Sequence, residues 1–285
     1  ITGNWLGGDM FCSADLVNWG GREHVFSYSN SWHVPRNAQP DMDIHGTHIA
    51  YDNGTFHLYA HLDTPPGNLL GIVHAVSDTV TGPYSEPVDR PFDTDTIDVK
   101  TFRDFDGTLH YYSTRFGGVS GNHNDCMATS DYYTLIGEPR TLIWPLPGWE
   151  INPQRPQFDH NTKINEGPFV FRNRDTYYML YNANHTGDTS YAIGCVQADK
   201  PESFSNEGKY LDPVLAAVTY FDGTAEYMIN TLGQPWVVDG PNGFEKWVGY
   251  FGIDQKYTRA GRTQRIDRIH FFDRRLYIDG PTNEH

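Results

Sequence analysis

Two acidic residues stand directly ahead of alternating stretches that are typical of β-strands. Asp98 lies in DTIDVKTFRDFDG, and Glu166 lies in INEGPFVFRNRDTYYMLYN, where a Gly-Pro pair that interrupts strand ladders follows it. Two carboxyl groups that converge on one pocket can perform acid–base chemistry, because the charge of one raises the pKa of the other and keeps it protonated. In the plainer interpretation, Asp98 caps a turn and Glu166 pairs with a surface arginine.

The composition indicates which elements must position these acids. Aromatic residues make up 14% of the 285 residues, and the chain has 28 glycines and 18 prolines, which favours strands joined by many turns. Asn53-Gly54 and Asp106-Gly107 stand between alternating stretches and predict two-residue hairpin turns. Further turns are predicted near residues 174 and 242. We therefore predict an all-β fold.

The predicted hairpins recur at a spacing that is typical of propeller blades, and a similar strand ending in Asp closes four of the units. We therefore predict a single domain over residues 1–285, a five-bladed β-propeller whose first blade is incomplete because it has no hairpin of its own. In a propeller, the leading end of each inner strand points at the central pocket. Asp98 and Glu166 are then expected to precede the third and fourth inner strands and to share that pocket.

Charge and hydropathy exclude several classes of partner. The formal net charge of −15 repels phosphate backbones and anionic membranes, and no stretch of 18 apolar residues is present to span a bilayer. We expect neither nucleic acid nor a membrane as a partner. Cys12, Cys126 and Cys195 are odd in number and lack metal-ligand spacing, so we expect buried thiols. Aromatic and carboxylate side chains instead suit a neutral polar ligand such as a sugar.

Two histidines, His45 and His48 in DMDIHGTHIAYDNG, precede the predicted second inner strand, the place equivalent to that of Asp98 and Glu166. Our main expectation is a hydrogen bond from one of them to the ligand. A metal site is the alternative, but no third ligand is near, and a strand turns residues i and i+3 to opposite faces. A histidine satisfied within the core is the plainest interpretation.

Four further residues are candidates for ligand contacts. Asn165 neighbours Glu166, and Phe102 is a candidate stacking platform, although aromatic residues in a propeller more often fill the core. Arg115 is a candidate for the pocket edge, where the Gly-rich RFGGVSGNHND also indicates a simple flexible turn. Arg262 is predicted to clamp a hydroxyl or restrain a carboxylate, with a solvated salt bridge as the alternative.

The quoted motifs resemble those of glycoside hydrolase family 43, inverting enzymes with a five-bladed propeller that act mainly on arabinose- and xylose-containing polysaccharides. SADLVNW and SDTVTGPY resemble two short motifs of the family. IDVKTFRDFDGTLHYY is similar to its pKa-modulating Asp motif, and INEGPFVFRNRDTYYMLYN is similar to its general-acid motif. GQPWVVDGPNGFEKWVGYF and IDGPT resemble its fifth blade. The resemblance extends almost from end to end.

The resemblance implies that Glu166 is the general acid and that Asp98 holds Glu166 in place and tunes its pKa. It also implies an inverting exo-glycosidase that removes terminal α-L-arabinofuranose or β-xylose from an oligosaccharide or polysaccharide. The alternatives are a glycosidase for galactofuranose or anhydrogalactose, and a carbohydrate-binding propeller without catalysis.

The family's general-base Asp belongs to the first inner strand, which we expect upstream of Ile1. Asp9, Asp41 and Asp43 are the nearest acids, but none lies in a matching motif. We expect a secreted or periplasmic protein, although no charged-then-apolar leader opens the sequence. The sequence does not indicate the oligomeric state.

A second departure from the family pattern lies at Gly233-Gln234, where many members have a Gly-His whose His approaches a calcium ion. The resemblance therefore implies no required cofactor, and it argues against structural calcium. Gln234 is predicted to hydrogen-bond a sugar or a central water, with a structural amide in a turn as the alternative.

Overall fold

The computed structural model describes residues 8–21, 23–26, 43–64, 68–85, 92–117, 121–151, 163–256 and 261–283. Strands dominate this part of the chain, which confirms the all-β prediction, and Asn206–Gly208 forms a single turn of 3-10 helix. No helix among the described residues is long and apolar enough to cross a membrane. The strands, numbered in chain order, are β1 (Gly8–Met10), β2 (Glu23–Phe26), β3 (Asp43–Asp52), β4 (Thr55–Thr64), β5 (Asn68–Ser77), β6 (Thr96–Arg103), β7 (Leu109–Arg115), β8 (His123–Asp131), β9 (Thr134–Ile143), β10 (Asn165–Asn173), β11 (Thr176–Ala183), β12 (Ala192–Ala198), β13 (Val218–Phe221), β14 (Glu226–Asp239), β15 (Lys246–Asp254), β16 (Thr263–Phe272) and β17 (Arg275–Ile278).

The chain divides into two compact units, one of residues 1–115 with 126–140 and the other of residues 116–125 with 141–285. In the first unit, β1 and β2 form one sheet, and β3-β4-β5 form the next. A further sheet has the order β6-β7-β8-β9, and part of β8 and part of β9 belong to the second unit. The second unit contains the sheets β10-β11-β12 and β13-β14-β15-β16-β17. The described residues therefore form five sheets of consecutive strands, as predicted, whereas a single domain over residues 1–285 stays a prediction.

The strand β4 shows how the sheets of the first unit pack. Leu58 and Ala60 belong to a buried cluster with residues of β1, β2 and β5. Tyr59, between them in sequence, belongs to another buried cluster with Val99 of β6 and Tyr111 of β7. Because successive side chains of a strand point to opposite faces, β4 is buried on both sides by neighbouring sheets.

The core of the second unit lies between its two sheets. Leu180 of β11 and Ile193 of β12 pack in one cluster with Val248 and Tyr250 of β15, and all four side chains are fully buried. Leu276 of β17 joins the same cluster. Burying each of these large apolar side chains stabilises the fold by roughly 1.5–3 kcal/mol. The same cluster includes Phe171 of β10 and Leu232 of β14.

The predicted turn at Asn53-Gly54 is confirmed as a two-residue hairpin between β3 and β4. Both residues have positive φ, 47° and 90°, as the tight hairpin turn requires. The turn at Asp106-Gly107 is longer than predicted, since β6 and β7 are joined by residues 104–108. The carboxylate of Asp106 accepts the N–H of Thr108 at 2.8 Å, which stabilises this wider loop.

The three cysteines are all free thiols, and two of them agree with the sequence prediction. Cys126 and Cys195 are buried, and burial raises the pKa of the Cys195 thiol. Cys12 is exposed, so the prediction was wrong for that residue. It lies in the connection between β1 and β2, where its carbonyl accepts the N–H of Gly20 at 2.7 Å.

Candidate active site

Four strands share one irregularity in their pairing. In β3, β6, β10 and β14, three residue steps on the strand lie opposite two steps on its neighbour, which is a β-bulge. The second residue of each bulge has a left-handed backbone, which glycine adopts readily and other residues adopt at a cost. These residues are Gly46 (φ 57°), Asp98 (φ 55°), Gly167 (φ 60°) and, in the two consecutive bulges of β14, Thr231 (φ 57°) and Gln234 (φ 58°).

The bulges correct the sequence prediction for the two acids. Asp98 and Glu166 lie within β6 and β10, not ahead of them, because strand pairing begins before the bulge and resumes after it. Their positions are also not equivalent. Asp98 is itself the left-handed residue, whereas Glu166 pairs with Asn182 and is followed by the left-handed Gly167.

Asp98 is buried in the first unit, with 1% of its surface exposed. A Cβ built on Gly46 would lie 2.5 Å from its Oδ1 and 2.9 Å from Nδ1 of His61, so both polar atoms lie close to the Gly46 backbone. The buried Lys100 donates its Nζ hydrogens to the carbonyls of Gly46 at 3.3 Å and Thr47 at 3.2 Å. Burial lowers the pKa of Lys100 to about 8, and the charge of Asp98 opposes that shift.

The two histidines of β3 have different surroundings. Nε2 of His48 lies 2.9 Å from Oγ1 of Thr101, and burial together with the charge of Lys100 lowers the pKa of His48 to about 3. Its ring is therefore neutral at physiological pH. His45 pairs with His61 in the strand ladder, and its side chain lies outside the described residues. Contacts of His45 and His48 with a ligand stay predictions.

Arg115 and Phe102 lie in the first unit. The guanidinium of Arg115 forms an ion pair with Asp93 at 2.8 Å and donates to the carbonyl of Thr94 at 3.0 Å. These bonds tie the end of β7 to the segment that leads into β6. Phe102 is half-buried, and its ring centroid lies 6.4 Å from that of His110. The predicted ligand contacts of both residues stay predictions.

Glu166 is partly exposed in the second unit. The hydroxyl of Tyr191 donates a hydrogen bond to Oε1 of Glu166 at 2.6 Å. The ring of Tyr191 lies against Gly233, where a Cβ would lie 2.0 Å from Cε1 of the ring. The guanidinium carbon of Arg262 is 5.7 Å from the centroid of the same ring, within the range of a cation–π contact.

Two amide side chains meet beside the bulge of β10. Oδ1 of the fully buried Asn182 accepts the main-chain N–H of Gln234 at 3.0 Å. A Cβ on Gly167 would lie 2.4 Å from Nδ2 of Asn182 and 3.5 Å from Nε2 of Gln234. A side chain at this position, one residue after Glu166, would displace the amide of Asn182 and strain the left-handed backbone. The predicted contact of Gln234 with a sugar stays a prediction.

Asn165 precedes Glu166 and is fully buried. Its Oδ1 accepts a hydrogen bond from Nζ of Lys209 at 2.7 Å, and its Nδ2 donates to the carbonyl of Ile164 at 2.9 Å. Lys209 also forms a buried ion pair with Glu150 at 2.7 Å. Burial lowers the pKa of Lys209 to about 8, although Glu150 acts to raise it. These bonds favour a positioning role for Asn165 over the predicted ligand contact.

Four of these residues were missed in the sequence analysis: Tyr191, Asn182, Lys100 and Lys209. Lys100 carries a signal that was available, since a lysine within the apolar alternation of IDVKTF indicates a buried amine that needs acceptors. Tyr191 and Asn182 carry no such signal, because tyrosines and asparagines are common throughout the strands of this chain.

The described residues do not fit a calcium site built on acidic and imidazole ligands. Among them, no group of three or more His, Cys, Asp and Glu side chains is close enough together to hold a metal ion. Gln234, where a histidine was expected, offers one neutral amide and uses its main-chain N–H to bond Asn182. We therefore propose no catalytic step that uses a metal ion, and activity without a metal ion stays a prediction.

A cavity of about 620 Å³ lies in the second unit. Its walls come from the end of β12, the 3-10 turn and the hairpin of β16 and β17, and include Tyr210, Arg274 and Arg275. Glu166 is absent from its lining, so we do not assign the substrate to this cavity.

The model of the family "Glycosyl hydrolases family 43" matches residues 3–274 of the chain. The chain belongs to this family. A crystal structure of a thermostable family-43 glycoside hydrolase is similar to it, with a TM-score of 0.79 and 26% identity, over 98% of this chain and 87% of that one. The chain therefore has the family-43 fold, the five-bladed β-propeller predicted from the sequence.

Two curated relatives of this family-43 chain differ in the sugar that their names specify. β-D-Galactofuranosidase xynD of Aspergillus niger is 24% identical over 203 residues, which are 68% of this chain and 53% of the relative. Xylosidase/arabinosidase 43A of Humicola insolens is 24% identical over 205 residues, which are 60% of this chain and 59% of the relative. The chain thus spans somewhat more than half the length of these relatives.

Proposed function

We propose that this chain is an inverting exo-glycosidase that removes a terminal pentose, α-L-arabinofuranose or β-xylose, from an oligosaccharide or polysaccharide. One observation carries the proposal. In a chain of family 43, the bulge of β10 presents the partly exposed carboxyl of Glu166, with one of its oxygens bonded to Tyr191. This arrangement suits a general acid, since the hydrogen bond from Tyr191 fixes the orientation of the carboxyl within the protein.

In the proposed reaction, Glu166 starts in its protonated form and gives its proton to the glycosidic oxygen as the bond to the anomeric carbon breaks. A water molecule, activated by a general base, attacks the opposite face of that carbon, which inverts its configuration. Asp98 is proposed to act on Glu166 through its charge, the role that the family resemblance implies. We assign no residue of this chain to the general base.

The other proposed contacts are polar and neutral or cationic, which suits sugar hydroxyls. Gln234, the residue after Gly233, carries a neutral amide. His48 is neutral because burial lowers the pKa of its ring. Arg262 is the cationic member of the set, and its guanidinium lies over Tyr191. The net charge of −15 agrees with a neutral substrate.

Replacement of Glu166 by Ala tests the proposal. With natural glycosides, whose alkoxide cannot leave unaided, kcat/KM should fall by roughly 10² to 10⁴, the usual contribution of general acid catalysis. Dinitrophenyl glycosides should be affected far less, because dinitrophenolate leaves without protonation. Asp98→Asn should weaken hydrolysis of both substrate classes, since it removes a charge that also favours the developing positive charge of the sugar ring.

Glu226→Ala is the matched control, because Glu226 is an exposed acid at the start of β14 in the same unit. Its kinetics should equal those of the wild type. Equal slowing of natural and dinitrophenyl substrates by Glu166→Ala, or no slowing of either, would contradict the role of Glu166 as the acid.

A specificity for galactofuranose is the second candidate, favoured by the similarity to the galactofuranosidase of Aspergillus niger. Hydrolysis of 4-nitrophenyl α-L-arabinofuranoside, β-D-xylopyranoside and β-D-galactofuranoside, compared by kcat/KM, decides between the two. The release of single sugars from oligosaccharides in initial-rate samples tests the exo action. Sugar binding with no hydrolysis of any of these compounds would support a carbohydrate-binding propeller instead.

A further inference from the structure

The hydroxyl of Tyr191 donates to the carboxyl group of Glu166, and the geometry is that of a strong hydrogen bond. The separation of 2.6 Å between the hydroxyl oxygen and Oε1 is at the short end of the range for O–H···O hydrogen bonds. Tyr191 is 0% exposed, so water does not compete for the hydroxyl. The bond therefore forms in an environment where such contacts are strongest.

The position of Tyr191 is fixed from three sides. Its main-chain N–H donates to the carbonyl of Asp188 at 3.1 Å, and its carbonyl accepts the N–H of Leu232 at 3.0 Å. Its ring rests on Gly233, where no side chain would fit, and the guanidinium of Arg262 lies over the ring. The hydroxyl thus cannot leave Oε1 without moving the main chain or opening the contact with β14.

This fixed donor has a chemical consequence for Glu166. Since the phenol hydrogen occupies Oε1, we place the proton that Glu166 transfers on Oε2. The bond to Tyr191 also becomes stronger as Oε2 loses that proton, because the acceptor changes from a neutral acid to a carboxylate. An interaction that strengthens during proton transfer lowers the barrier, whereas one of constant strength does not.

We propose that Tyr191 is a positioning residue for Glu166, which directs the transferable proton to Oε2 and stabilises the charge that forms on the carboxylate as the leaving group is protonated. This inference rests on the proposed function of Glu166. Tyr191 keeps its own proton throughout: the proton on Oε2 goes to the glycosidic oxygen, and the electron pair of the broken bond stays on that oxygen.

Several groups from other elements of the second unit lie around Tyr191 and the bulge that carries Glu166. Arg262, from the segment before β16, places a positive charge over the ring and makes the phenol a better donor. Asn182 of β11 and Gln234 of β14 contribute neutral amides beside Gly167, the residue that follows Glu166. The phenol and the arginine thus act in the same direction, since both favour the charged carboxylate.

Tyr191→Phe removes the hydroxyl and retains the ring that packs on Gly233. The kcat/KM for natural glycosides should fall about 10-fold, while the value for dinitrophenyl glycosides should change much less, because that reaction needs no proton transfer. The pKa that describes the alkaline fall of kcat/KM should rise by about one unit, the equivalent of losing a hydrogen bond to a charged group. Tyr178→Phe is the control, since it removes a buried hydroxyl that bonds the carbonyl of Arg274 at 2.8 Å.

A titration of the Glu166 carboxyl by ¹³C NMR, with the signal assigned by Glu166→Gln, gives a readout that needs no turnover. A rise of the Glu166 pKa in Tyr191→Phe but not in Tyr178→Phe supports the proposal. An unchanged pKa, or equal losses with natural and dinitrophenyl substrates, overturns it and leaves Tyr191 with a packing role. Failure of the proposed function would give a different result. In that case Glu166→Ala lowers kcat/KM no more with natural than with dinitrophenyl substrates.

Discussion

Gly46 lies directly against the carboxylate of Asp98. A Cβ built on Gly46 would lie 2.5 Å from Oδ1 of Asp98, a distance that real side chains essentially never show, and 3.0 Å from its Cα, which is tighter than most real contacts. Both residues have a left-handed backbone, with φ of 57° and 55°. The bulges of β3 and β6 thus approach each other closely only because one of these two positions has no side chain, and the placement of Asp98 depends on it.

Gly46→Ala should therefore displace Asp98. We expect kcat/KM to fall by about 10²-fold, the typical result of moving a reacting or supporting group by 1 Å. Gly54→Ala is the control, since Gly54 also has positive φ but has no atom within 4 Å of the added Cβ. Both variants should lose about 1–2 kcal/mol from the backbone strain of a left-handed alanine, and Gly46→Ala should lose more because of the clash.

Kinetic assays and thermal unfolding of the two variants check this prediction. The expected pattern is that the Gly54 variant keeps wild-type kcat/KM in spite of its lower stability. Equal kcat/KM for the two variants would show that the close contact between Gly46 and Asp98 does not matter for activity.

Local turn chemistry made part of the fold predictable from the sequence. Asn53-Gly54 specifies its own hairpin, because both residues tolerate the positive φ that the turn demands. The bulges were not predictable in this way, since a bulge is defined by the pairing of a strand with its neighbour. Asp98 and Gln234 give no sign of left-handed backbone in the sequence, whereas glycines such as Gly46 at least permit it.

The contacts of the candidate site were harder to predict than the fold. Glu166 was identified from its motif, but its partner Tyr191 is 25 residues away and reaches it only through the order of strands β10, β11 and β12. Lys209 bonds Asn165 across 44 residues from the loop after the 3-10 turn. Such pairs follow from tertiary packing, which no short stretch of sequence encodes.

Removal of one partner from the buried ion pair of Lys209 and Glu150 should greatly lower the free energy of unfolding. Lys209→Met leaves the carboxylate of Glu150 buried without its cation, which should lower the free energy of unfolding by about 3–5 kcal/mol. Lys246→Met is the matched control, because Lys246 pairs with the largely exposed Asp239 at 2.6 Å. That change should cost about 1 kcal/mol or less.

Denaturant unfolding of both variants measures these differences. Lys209→Met combined with Glu150→Gln should recover part of the loss, because no charge is then left buried without a partner. If Lys209→Met and Lys246→Met are equally stable, the interior pair contributes no more to stability than a surface pair.

Buried tyrosines should set the alkaline limit of stability. Burial raises the pKa of Tyr84 to about 12, from an ordinary value near 10. The contribution of Tyr84 to the free energy of unfolding is complete below pH 10. It is lost between pH 10 and 12, because there the unfolded chain releases the phenol proton while the folded chain retains it. The free energy of unfolding should therefore fall with pH in that window.

Tyr84→Phe should make this fall shallower, since phenylalanine has no proton to release. At neutral pH, the variant should lose only about 0.5–1.5 kcal/mol, the value of the hydrogen bond that Tyr84 donates to the carbonyl of Val80. Tyr51→Phe, at a site that is 60% exposed, is the control and should leave the alkaline limb unchanged. Urea unfolding at intervals from pH 8 to pH 12 gives the curves, and parallel curves for wild type and Tyr84→Phe would contradict the assignment.

Activity should survive a chelator. Gln234 offers a neutral amide where the family resemblance leads us to expect a calcium-directing histidine, and an amide is a weaker metal ligand than an imidazole. Among the described residues, no group of three or more His, Cys, Asp and Glu side chains compensates for that difference. We expect kcat/KM to stay within about twofold of its starting value after dialysis against EDTA, since general acid catalysis by Glu166 needs no metal.

Dialysis against EDTA already saturated with calcium is the matched control, because it reproduces every effect of the chelator except metal removal. A loss of turnover with free EDTA that calcium restores, and that buffer exchange does not, would show that the protein holds a calcium ion through residues other than those considered above.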